Sequence, residues 1–427
     1  MSRLTRRTFA KLSLAGLLSG CQQATFGTVS IAKTKAQVVV VGGGYAGATA
    51  ARAVKRFDPS LEVVLITPET VYATGPFTNM VLGGFVPPTF IERSFADLSK
   101  AGVKVVTDRA LRLDPTARLI RTAKSGTFAF ERLILAPGVD FKFDQISGYD
   151  ESDIKRLPHA FREREQTALL RAQLEAMPDG GVFMLRVPES PSRAPLAPYE
   201  RASLIASYFR AYKPASKIIL LDPKESFPLQ PLFEEGWAKN FPGMITHLKG
   251  KAGQVTAANV RGKELRTKDG TKHKADVINL IPDQWASSIA RAADLTGDGD
   301  WCAVNPLTWE STVHPNIHVI GDAAHTEPMT KTATAAHGQA LACAAAVTAL
   351  LRGQKPEAVP LVEASFALIS PTYGISQVAV STLKNGALHA VKNAGGISPT
   401  GANAVFRLGE AKQARSSYQN LCADIWG

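Results

Sequence analysis

A glycine-rich segment near the start of the chain has the residue types and spacing of a dinucleotide-binding turn. Its sequence, Gly42-Gly43-Gly44-Tyr45-Ala46-Gly47, follows the β-branched run 37–41 and precedes a segment, 48–56, of helical composition. Between a buried parallel strand and a helix, the pattern G-x-G-x-x-G directs amide N–H groups and a helix N-terminus at a pyrophosphate. The first glycine permits the tight turn, the second admits the pyrophosphate and the third lets the helix pack on the strand. The predicted contacts are Gly42, Gly44, Tyr45, Ala46 and Gly47.

The residue that would bind the adenosine ribose is less clearly defined. In this motif an acidic residue about 20 positions after the last glycine, at the end of the second strand, binds the ribose hydroxyls. The run 61–66 predicts that strand, but Thr67 occupies the acidic position and Glu69 follows two residues later. Either Glu69 reaches the ribose or the Thr67 hydroxyl makes the contact, and the sequence leaves both open.

Two later segments indicate that the dinucleotide is FAD. Residues 130–138 resemble a segment of two-dinucleotide-domain flavoproteins that ends in Ala-Thr-Gly, with Pro137 in place of the threonine. Residues 317–323 resemble their second flavin motif, in which an aspartate binds a ribityl hydroxyl. A helix beginning near Thr332 would direct its N-terminus at the isoalloxazine edge where negative charge develops on reduction, and Lys331 would add to that stabilisation. The predicted contacts are Ala136, Pro137, Gly138, Gly321, Asp322, Lys331, Thr332 and Ala333.

The middle of the chain has the strand and helix of a second nucleotide-binding unit but lacks its glycines. A strand is predicted at 182–185 and a helix at 199–212, and the connection 186–198 contains four prolines and no glycine. Because prolines lack the N–H groups that a pyrophosphate needs, this connection cannot form a close backbone cradle. We therefore predict that NAD(P)H does not bind and that the flavin exchanges electrons with another partner.

The composition fits a large α/β protein. The chain has 427 residues, 45% apolar and 20% charged, which excludes a disordered chain, a collagen and a polytopic membrane protein. We predict two Rossmann-like domains, FAD-binding (36–150 and 300–355) and central (151–299), and a small C-terminal α+β flavin-covering domain (356–427). The net charge of +12 is scattered rather than in blocks, which argues against nucleic acid and favours an acidic protein partner or an anionic substrate.

Residues 1–28 have the pattern of an export signal. Arg6 and Arg7, followed by a short apolar run at 12–18, match a twin-arginine (Tat) signal, and the run is too short to span a membrane. Residues 18–21, Leu-Ser-Gly-Cys, resemble a bacterial lipoprotein box in which Cys21 is acylated. The sequence therefore predicts a periplasmic protein that contacts the membrane only through a lipid on Cys21. The alternative is an ordinary cleaved signal in which Cys21 has no role.

From Gln37 to Gly427 the sequence resembles the flavoprotein subunit of flavocytochrome c sulfide dehydrogenase. The resemblance rests on five short segments. They are Leu-Pro-His-Ala-Phe (157–161), Pro-Tyr-Glu-Arg-Ala-Ser (198–203), Val-Ile-Asn-Leu-Ile-Pro (277–282), Pro-Met-Thr-Lys (328–331) and Tyr-Gly-Ile-Ser (373–376). It implies an exported FAD subunit that oxidises sulfide and passes electrons to a c-type cytochrome, either a tight subunit or a soluble cytochrome c.

The cysteines on which that family's chemistry rests are missing here. The family attaches FAD through a cysteine at the position of Gly75, so the resemblance implies that FAD is bound non-covalently, with Gly75 beside it. The family's redox disulfide corresponds to Ala194 and Ser365, and a tryptophan near the flavin corresponds to Ser417. Sulfide attack on a disulfide and transfer through the resulting thiolate is therefore impossible at these positions.

Three other side chains are weak candidates for acid–base catalysis. They are Glu200, whose alternative role is a charge at a helix start, and His325 and His337, whose alternative role is packing or surface exposure. Cys302, Cys343 and Cys422 read as small buried residues, and no metal-ligand spacing occurs. The sequence predicts an oxidoreductase that takes electrons from a small donor, most simply a reduced sulfur compound. An electron-transfer flavoprotein with a protein donor and a non-catalytic FAD-binding paralogue stay open as alternatives.

Overall fold

The computed structural model describes residues 33–162 and 164–427, and the predicted leader with Cys21 lies outside these residues. The strands are β1 Lys33–Val41, β2 Val63–Thr67, β3 Val71–Ala73, β4 Glu92–Ser94, β5 Lys104–Thr107, β6 Ala110–Asp114, β7 Leu119–Thr122, β8 Thr127–Leu135, β9 Val139–Phe141, β10 Val182–Arg186, β11 Lys217–Asp222, β12 Ile245–Lys249, β13 Val255–Asn259, β14 Glu264–Thr267, β15 Lys272–Lys274, β16 Val277–Leu280, β17 Gln284–Ala286, β18 Ile317–Val319, β19 Leu361–Ser370, β20 Tyr373–Lys384 and β21 Ala387–Ile397. The helices are α1 Tyr45–Phe57, α2 Thr78–Leu82, α3 Ala96–Lys100, α4 Glu165–Ala176, α5 Ala197–Tyr212, α6 Gln230–Asn240, α7 Ser288–Arg291, α8 Ala333–Leu351 and α9 Ala404–Trp426.

The first sheet has seven strands and places three predicted motifs at one edge. Its order is β5-β2-β1-β8-β7-β6, and β18 pairs with the second half of β8. Strands β5, β2, β1, β8 and β18 are parallel, so their carboxyl ends meet at the same edge. The glycine turn follows β1, the Ala-Pro-Gly segment follows β8 and the Gly-Asp segment follows β18. The sheet therefore brings together motifs nearly three hundred positions apart in the chain.

Strand β1 is buried on both faces, which explains its uninterrupted run of valines. Val38 and Val40 pack in a cluster with α1 and α8, whereas Val39 and Val41 pack in a second cluster on the other face. A parallel strand covered on both sides needs apolar residues at every position rather than alternation. The alanine-rich α1 and α8 fit closely against each other on this face, because small side chains let helices approach.

The second sheet is built in the same way from the middle of the chain. Its order is β12-β11-β10-β16 and all its strands are parallel. Phe183 and Leu185 of β10 face a cluster with α5 and α6, and Met184 faces a cluster with the antiparallel sheet β13-β14-β15. This is a second Rossmann-like unit with its own core.

The C-terminal residues form the antiparallel sheet β19-β20-β21 and the long helix α9. Helix α9 crosses the sheet and ends at Trp426, which packs against Tyr45 and Tyr72 beside the glycine turn. In this way the last residues cover the edge where the motifs meet. The exact domain boundaries given above stay a prediction.

Helix α8 is, among the described residues, the one helix long and apolar enough to cross a membrane. It packs against α1 on one side, and its first turn is joined to β19 by hydrogen bonds between Thr334 and Ala364. Because half of its apolar stretch is buried inside the protein, we interpret α8 as a core helix. Within residues 33–162 and 164–427 there is no group of three or more His, Cys, Asp or Glu side chains placed to hold a metal.

Candidate functional site

A cavity of about 830 Å³ lies at the edge of the first sheet where the motifs converge. Its walls come from the residues after β1, β8 and β18, the proline-rich connection before α5, strand β19 and helix α9. Of the predicted cofactor contacts, those that line it are Gly42, Gly44, Tyr45, Ala46, Glu69, Gly75, Ala136, Pro137, Gly138, Gly321, Asp322, Lys331, Thr332 and Ala333. The structure therefore brings fourteen of the sixteen predicted contacts together.

The glycines of the turn leave room for a ligand and for close packing. Gly42 has φ +105°, and a Cβ there would lie 2.2 Å from the carbonyl oxygen of Ala136. A Cβ at Gly47 would lie 1.8 Å from the carbonyl oxygen of Gly42, so Gly47 packs α1 onto the turn and does not line the cavity. No side chain caps the N-terminus of α1, and its first turn contains no acidic residue. Uncapped amide groups at this end fit a pyrophosphate.

Thr67 and Glu69, the two candidates for binding the ribose, have different positions in the structure. Thr67 is fully buried and does not line the cavity, so its prediction as a direct contact does not agree with the structure. Its hydroxyl instead donates a 2.7 Å hydrogen bond to the Glu69 carboxylate, which does line the cavity. Glu69 is thus the acid that lines the cavity after β2, two positions later than the motif requires, and Thr67 orients it.

Asp322 and Lys331 are neighbouring residues of the cavity lining, located after β18 and before α8. The Arg193 guanidinium lies 3.7 Å from the Asp322 carboxylate. Burial raises the pKa of Asp322, while the charges of Arg193 and Lys331 offset part of this rise. The Lys331 ammonium donates hydrogen bonds to the carbonyl oxygens of Asp322 and Ala324 at 2.8 and 2.7 Å, and burial lowers its pKa to about 8. Lys331 therefore fixes the Gly-Asp loop as well as lining the cavity.

The positions that correspond to cysteines and tryptophan in the resembled family face the same cavity. Ala194, Ser365 and Ser417 line it from the proline-rich connection, β19 and α9, respectively. The Ala194 N–H donates a 2.7 Å hydrogen bond to the carbonyl oxygen of Lys331, which docks the connection against the start of α8. These positions carry no thiol. The described cysteines, Cys302, Cys343 and Cys422, are free, buried and outside the cavity lining.

Glu200 is a half-buried acid that lines the cavity. Its carboxylate accepts hydrogen bonds from the Asn79 amide at 2.7 Å and from the Leu368 N–H at 3.0 Å. The Asn79 oxygen in turn accepts a 2.9 Å bond from Arg201. Burial raises the pKa of Glu200, and the bonds from Asn79 and Leu368 offset part of the rise. Asn79 is a site residue that the sequence analysis misses, because its partners lie more than a hundred positions away.

Neither histidine candidate lies in the cavity lining. His325 is exposed. The His337 ring lies 3.1 Å from the Thr49 hydroxyl and 3.4 Å from the Asp424 carboxylate, between α1, α8 and α9. These positions do not support the prediction of His325 or His337 as general bases. Their surroundings agree with the alternative roles of surface exposure and packing.

At the corresponding edge of the second sheet, the groups that would bind a dinucleotide are engaged with other parts of the protein. A nicotinamide dinucleotide would need an acid after the second strand of this unit, and Asp222 stands there. Asp222 is fully buried and bonded to the Tyr199 hydroxyl at 2.6 Å, the Lys224 ammonium at 2.8 Å and the His247 ring at 3.2 Å. The proline-rich connection, which precedes α5, lines the first cavity instead. Both groups that would bind NAD(P)H are thus engaged within the protein, which supports the prediction that it does not bind.

Replacing Asp222 with asparagine is expected to lower the free energy of unfolding by about 2 kcal/mol at pH 7. Burial alone would raise the pKa of Asp222, but the bonds from His247 and Lys224 hold it at about 2, below its unfolded value of about 3.9. A lowered folded pKa stabilises the protein above the unfolded pKa, and this stabilisation is lost as the pH falls from about 4 to 2. Urea unfolding of both proteins from pH 2 to 7 should converge at the acidic end. A difference independent of pH would contradict this account.

Three family models match the chain. They describe the pyridine nucleotide-disulphide oxidoreductases at residues 36–174, the central part of the sulfide dehydrogenase (flavocytochrome c) flavoprotein chain at 167–282, and the flavin-binding part of flavocytochrome c sulphide dehydrogenase at 360–426. The flavoprotein chain of sulfide dehydrogenase from Chlorobaculum thiosulfatiphilum is 49% identical over 45 residues, which are 10% of this chain and 94% of that one. The chain belongs to the flavocytochrome c sulfide dehydrogenase flavoprotein family. This confirms the resemblance found in the sequence.

The similarity to more distant relatives covers most of this chain. Mitochondrial sulfide:quinone oxidoreductase from Mus musculus is 23% identical over 366 residues, covering 81% of this chain and 79% of that one. The structure of sulfide:quinone oxidoreductase from Aquifex aeolicus superposes with a TM-score of 0.69 at 17% identity, covering 92% of each chain. A ferredoxin reductase from Rhodopseudomonas palustris gives a TM-score of 0.60 at 16% identity, covering 82% and 88%. The predicted α/β fold class is confirmed.

The protein is an FAD-dependent oxidoreductase related to sulfide:quinone oxidoreductase and to the sulfide dehydrogenase flavoprotein. The residues of the cavity fit this cofactor. The glycine turn lines the cavity without side chains at positions 42–44, and the carboxylate-bearing residues Glu69 and Asp322 line it as well. Helix α8 begins at Ala333 with Thr332 as its N-cap, close to the predicted position, and its N-terminus lines the cavity. Whether each predicted contact is made stays a prediction.

Proposed function

We propose that the chain is an exported FAD-dependent dehydrogenase that oxidises a reduced sulfur compound without a dithiol relay and passes the electrons to a c-type cytochrome. The observation that carries this proposal is the position of Ala194 and Ser365. Both face the cavity that fits the cofactor, and neither has a sulfur atom with which to relay electrons. Electrons must then pass directly between the donor and the flavin.

Bound FAD would supply the two-electron acceptor. The protein's own part is to hold the donor against it, exclude water and take up a proton. Glu200 is the group placed for the last of these tasks, because its carboxylate lines the cavity on the same side as Ala194 and is held by Asn79 and Leu368. A carboxyl whose pKa is raised by burial is a better proton acceptor than an exposed one.

The proposed electron acceptor rests on the second sheet, and the proposed cellular location rests on the export signal at residues 1–28. The contacts of Asp222 and of the proline-rich connection within the protein support an electron acceptor other than a pyridine nucleotide. The twin-arginine pattern at Arg6 and Arg7 supports export to the periplasm, where c-type cytochromes accept electrons, and Cys21 supports a lipid anchor. The names of the mouse and Aquifex aeolicus relatives give quinone as their acceptor, so quinone is the alternative to test.

Anaerobic titration of the purified protein with sulfide, polysulfide and thiols tests the donor. Bleaching of the visible flavin band by one of them, followed by re-oxidation on addition of a soluble cytochrome c but not of a water-soluble quinone, would support the proposal. A flavin that no donor bleaches would support a protein donor or a non-catalytic role. Faster re-oxidation by quinone than by cytochrome c would overturn the acceptor.

The sequence also predicts how the cofactor is retained. Gly75 lines the cavity and has no side chain that could form a thioether, so acid precipitation is expected to release all the flavin into the supernatant. The absorbance of the supernatant and of the redissolved pellet measures the distribution. Yellow colour kept in the pellet after washing would show a covalent link elsewhere in the chain.

A further inference from the structure

Part of the cavity wall belongs to no nucleotide motif and is built mainly from apolar and small side chains. It comes from three elements that are distant in sequence: the proline-rich connection, β19 and α9. Its residues are Ala194, Leu196, Ser365, Phe366, Ala414 and Ser417. We refer to the space beside them as the apolar compartment.

The wall of the apolar compartment is held firmly in place. Phe366 and Ala414 pack in a cluster with Met80, Leu204 and Leu368, which joins β19, α9, α2 and α5. Thr334 at the start of α8 exchanges hydrogen bonds with both backbone groups of Ala364, beside Ser365. Such a wall cannot collapse onto the space at low cost, because protein interiors are close-packed and resist deformation.

Charged groups also line the cavity beside this wall, and Lys331 is one of them, with its ammonium bonded to the carbonyl oxygens of Asp322 and Ala324. Ser365 and Ser417 offer hydroxyls, and Glu200 offers its carboxyl. The nearby guanidinium groups already have protein partners: Arg193 bonds the carbonyl oxygen of Phe161, and Arg201 bonds Asn79 and the carbonyl oxygens of His159 and Ala160. A small anion such as hydrosulfide has no apolar surface to bury here and would lose hydration. An uncharged organic molecule would gain by burial of its apolar surface.

We propose that the apolar compartment binds uncharged aromatic thiols in preference to hydrosulfide. This inference rests on the proposed function only in taking bound FAD as the opposite wall. The thiol group would lie toward Glu200 and the serine hydroxyls, and the ring would lie against Leu196, Phe366 and Ala414. The proposal concerns binding and specificity, and it assigns no covalent step.

Titration of the FAD-loaded full chain with benzyl alcohol, a non-reducing isostere of benzyl mercaptan, tests this binding. A saturable change in the visible flavin spectrum is expected, because the ring packs beside the cofactor. Ser417→Trp fills the compartment and should weaken the binding at least about tenfold. Ser416→Trp makes the same change one position away on an exposed face of α9 and should stay within about twofold of the parent.

Flavin content, measured by absorbance per protein, shows whether each variant keeps its cofactor. If Ser417→Trp loses its cofactor, Ser365→Phe is the second variant, which fills the compartment from β19. The absence of a saturable spectral change in the parent protein would overturn the proposal. Equal binding by the filled variants and by Ser416→Trp would overturn it too.

The failure of this proposal can be told from a failure of the proposed function. Bleaching by hydrosulfide without benzyl alcohol binding would refute the compartment and keep the dehydrogenase. Benzyl alcohol binding without bleaching by any donor would support the compartment and refute the dehydrogenase. Stronger competition by hydrosulfide than by benzyl mercaptan for the benzyl alcohol site would refute the preference.

Discussion

Replacement of Gly44 by valine is expected to give a folded protein that purifies without yellow colour and binds FAD at least about 1,000-fold more weakly. Gly44 has φ −74°, which any residue can adopt, and the atom nearest to an added Cβ is the Tyr72 hydroxyl oxygen at 3.1 Å. A side chain here requires only a small shift of the Tyr72 hydroxyl, a much smaller disturbance than a clash with backbone atoms. It would, however, project into the space where the turn admits a pyrophosphate.

The other glycines of the turn would not give so clear a result. A side chain at Gly42 or Gly47 meets backbone oxygen atoms at 2.2 or 1.8 Å, so those changes would disturb the fold as well as the cofactor. Gly396→Val is the matched control, because this exposed position in β21 has nothing within 4 Å of an added Cβ. Thermal unfolding, circular dichroism and fluorescence titration with FAD should be compared for the three proteins. A Gly44→Val protein as yellow as the parent would refute the cofactor assignment of this cavity.

The parts of the fold that the sequence predicts well are those in which local pattern and burial agree. The β-branched run before Gly42 becomes β1 because both of its faces are covered, and the alanine-rich segment after Thr332 becomes α8 because it packs against α1. The carboxyl ends of parallel strands must meet at one edge. From this rule alone, Gly44, Pro137 and Asp322 are expected to share a cavity, and they do.

The residues that the sequence places wrongly are those whose role depends on side-chain direction. Thr67 ends β2, where the motif requires an acid, but its side chain points into the protein and hydrogen-bonds Glu69. His325 precedes α8 and His337 is the fifth residue of this helix, yet His325 is exposed and His337 faces α1 and α9. Proximity along the chain does not determine which face of an element a side chain occupies.

The contacts between segments that are distant in the chain could not be predicted from the sequence. The docking of Ala194 on Lys331 joins the second Rossmann-like unit to the first cavity, and the bonds from Asn79 and Leu368 to Glu200 join α2 and β19 to α5. Each needs the packing of two sheets and the C-terminal helix to be known first. The interpretation of the proline-rich connection as unable to bind a nucleotide stays a prediction, and its role as a wall of the cofactor cavity comes only from the structure.

Glu200→Gln is expected to lower the rate of flavin reduction by an active donor about 1,000-fold while leaving FAD bound. Glutamine can still accept a bond from the Leu368 N–H or from Asn79, so the wall keeps its shape, but the amide cannot take up a proton. The reduction rate should be measured by anaerobic stopped-flow at saturating donor, so that a change in donor affinity does not mask the change in the proton-transfer step.

The pH profile distinguishes a proton acceptor from a merely structural acid. Burial raises the pKa of Glu200, so the carboxylate needed to accept a proton is lost at a higher pH than for an exposed glutamate, whose pKa is about 4.3. The parent rate should therefore rise with pH through a value above about 4.3, and the rate of the Glu200→Gln protein should be flat over the same range. Glu165→Gln is the matched control, since Glu165 also stands in the first turn of a helix but is exposed and outside the cavity. If both variants kept the parent rate and profile, Glu200 would be a helix-start charge and the proton would go elsewhere.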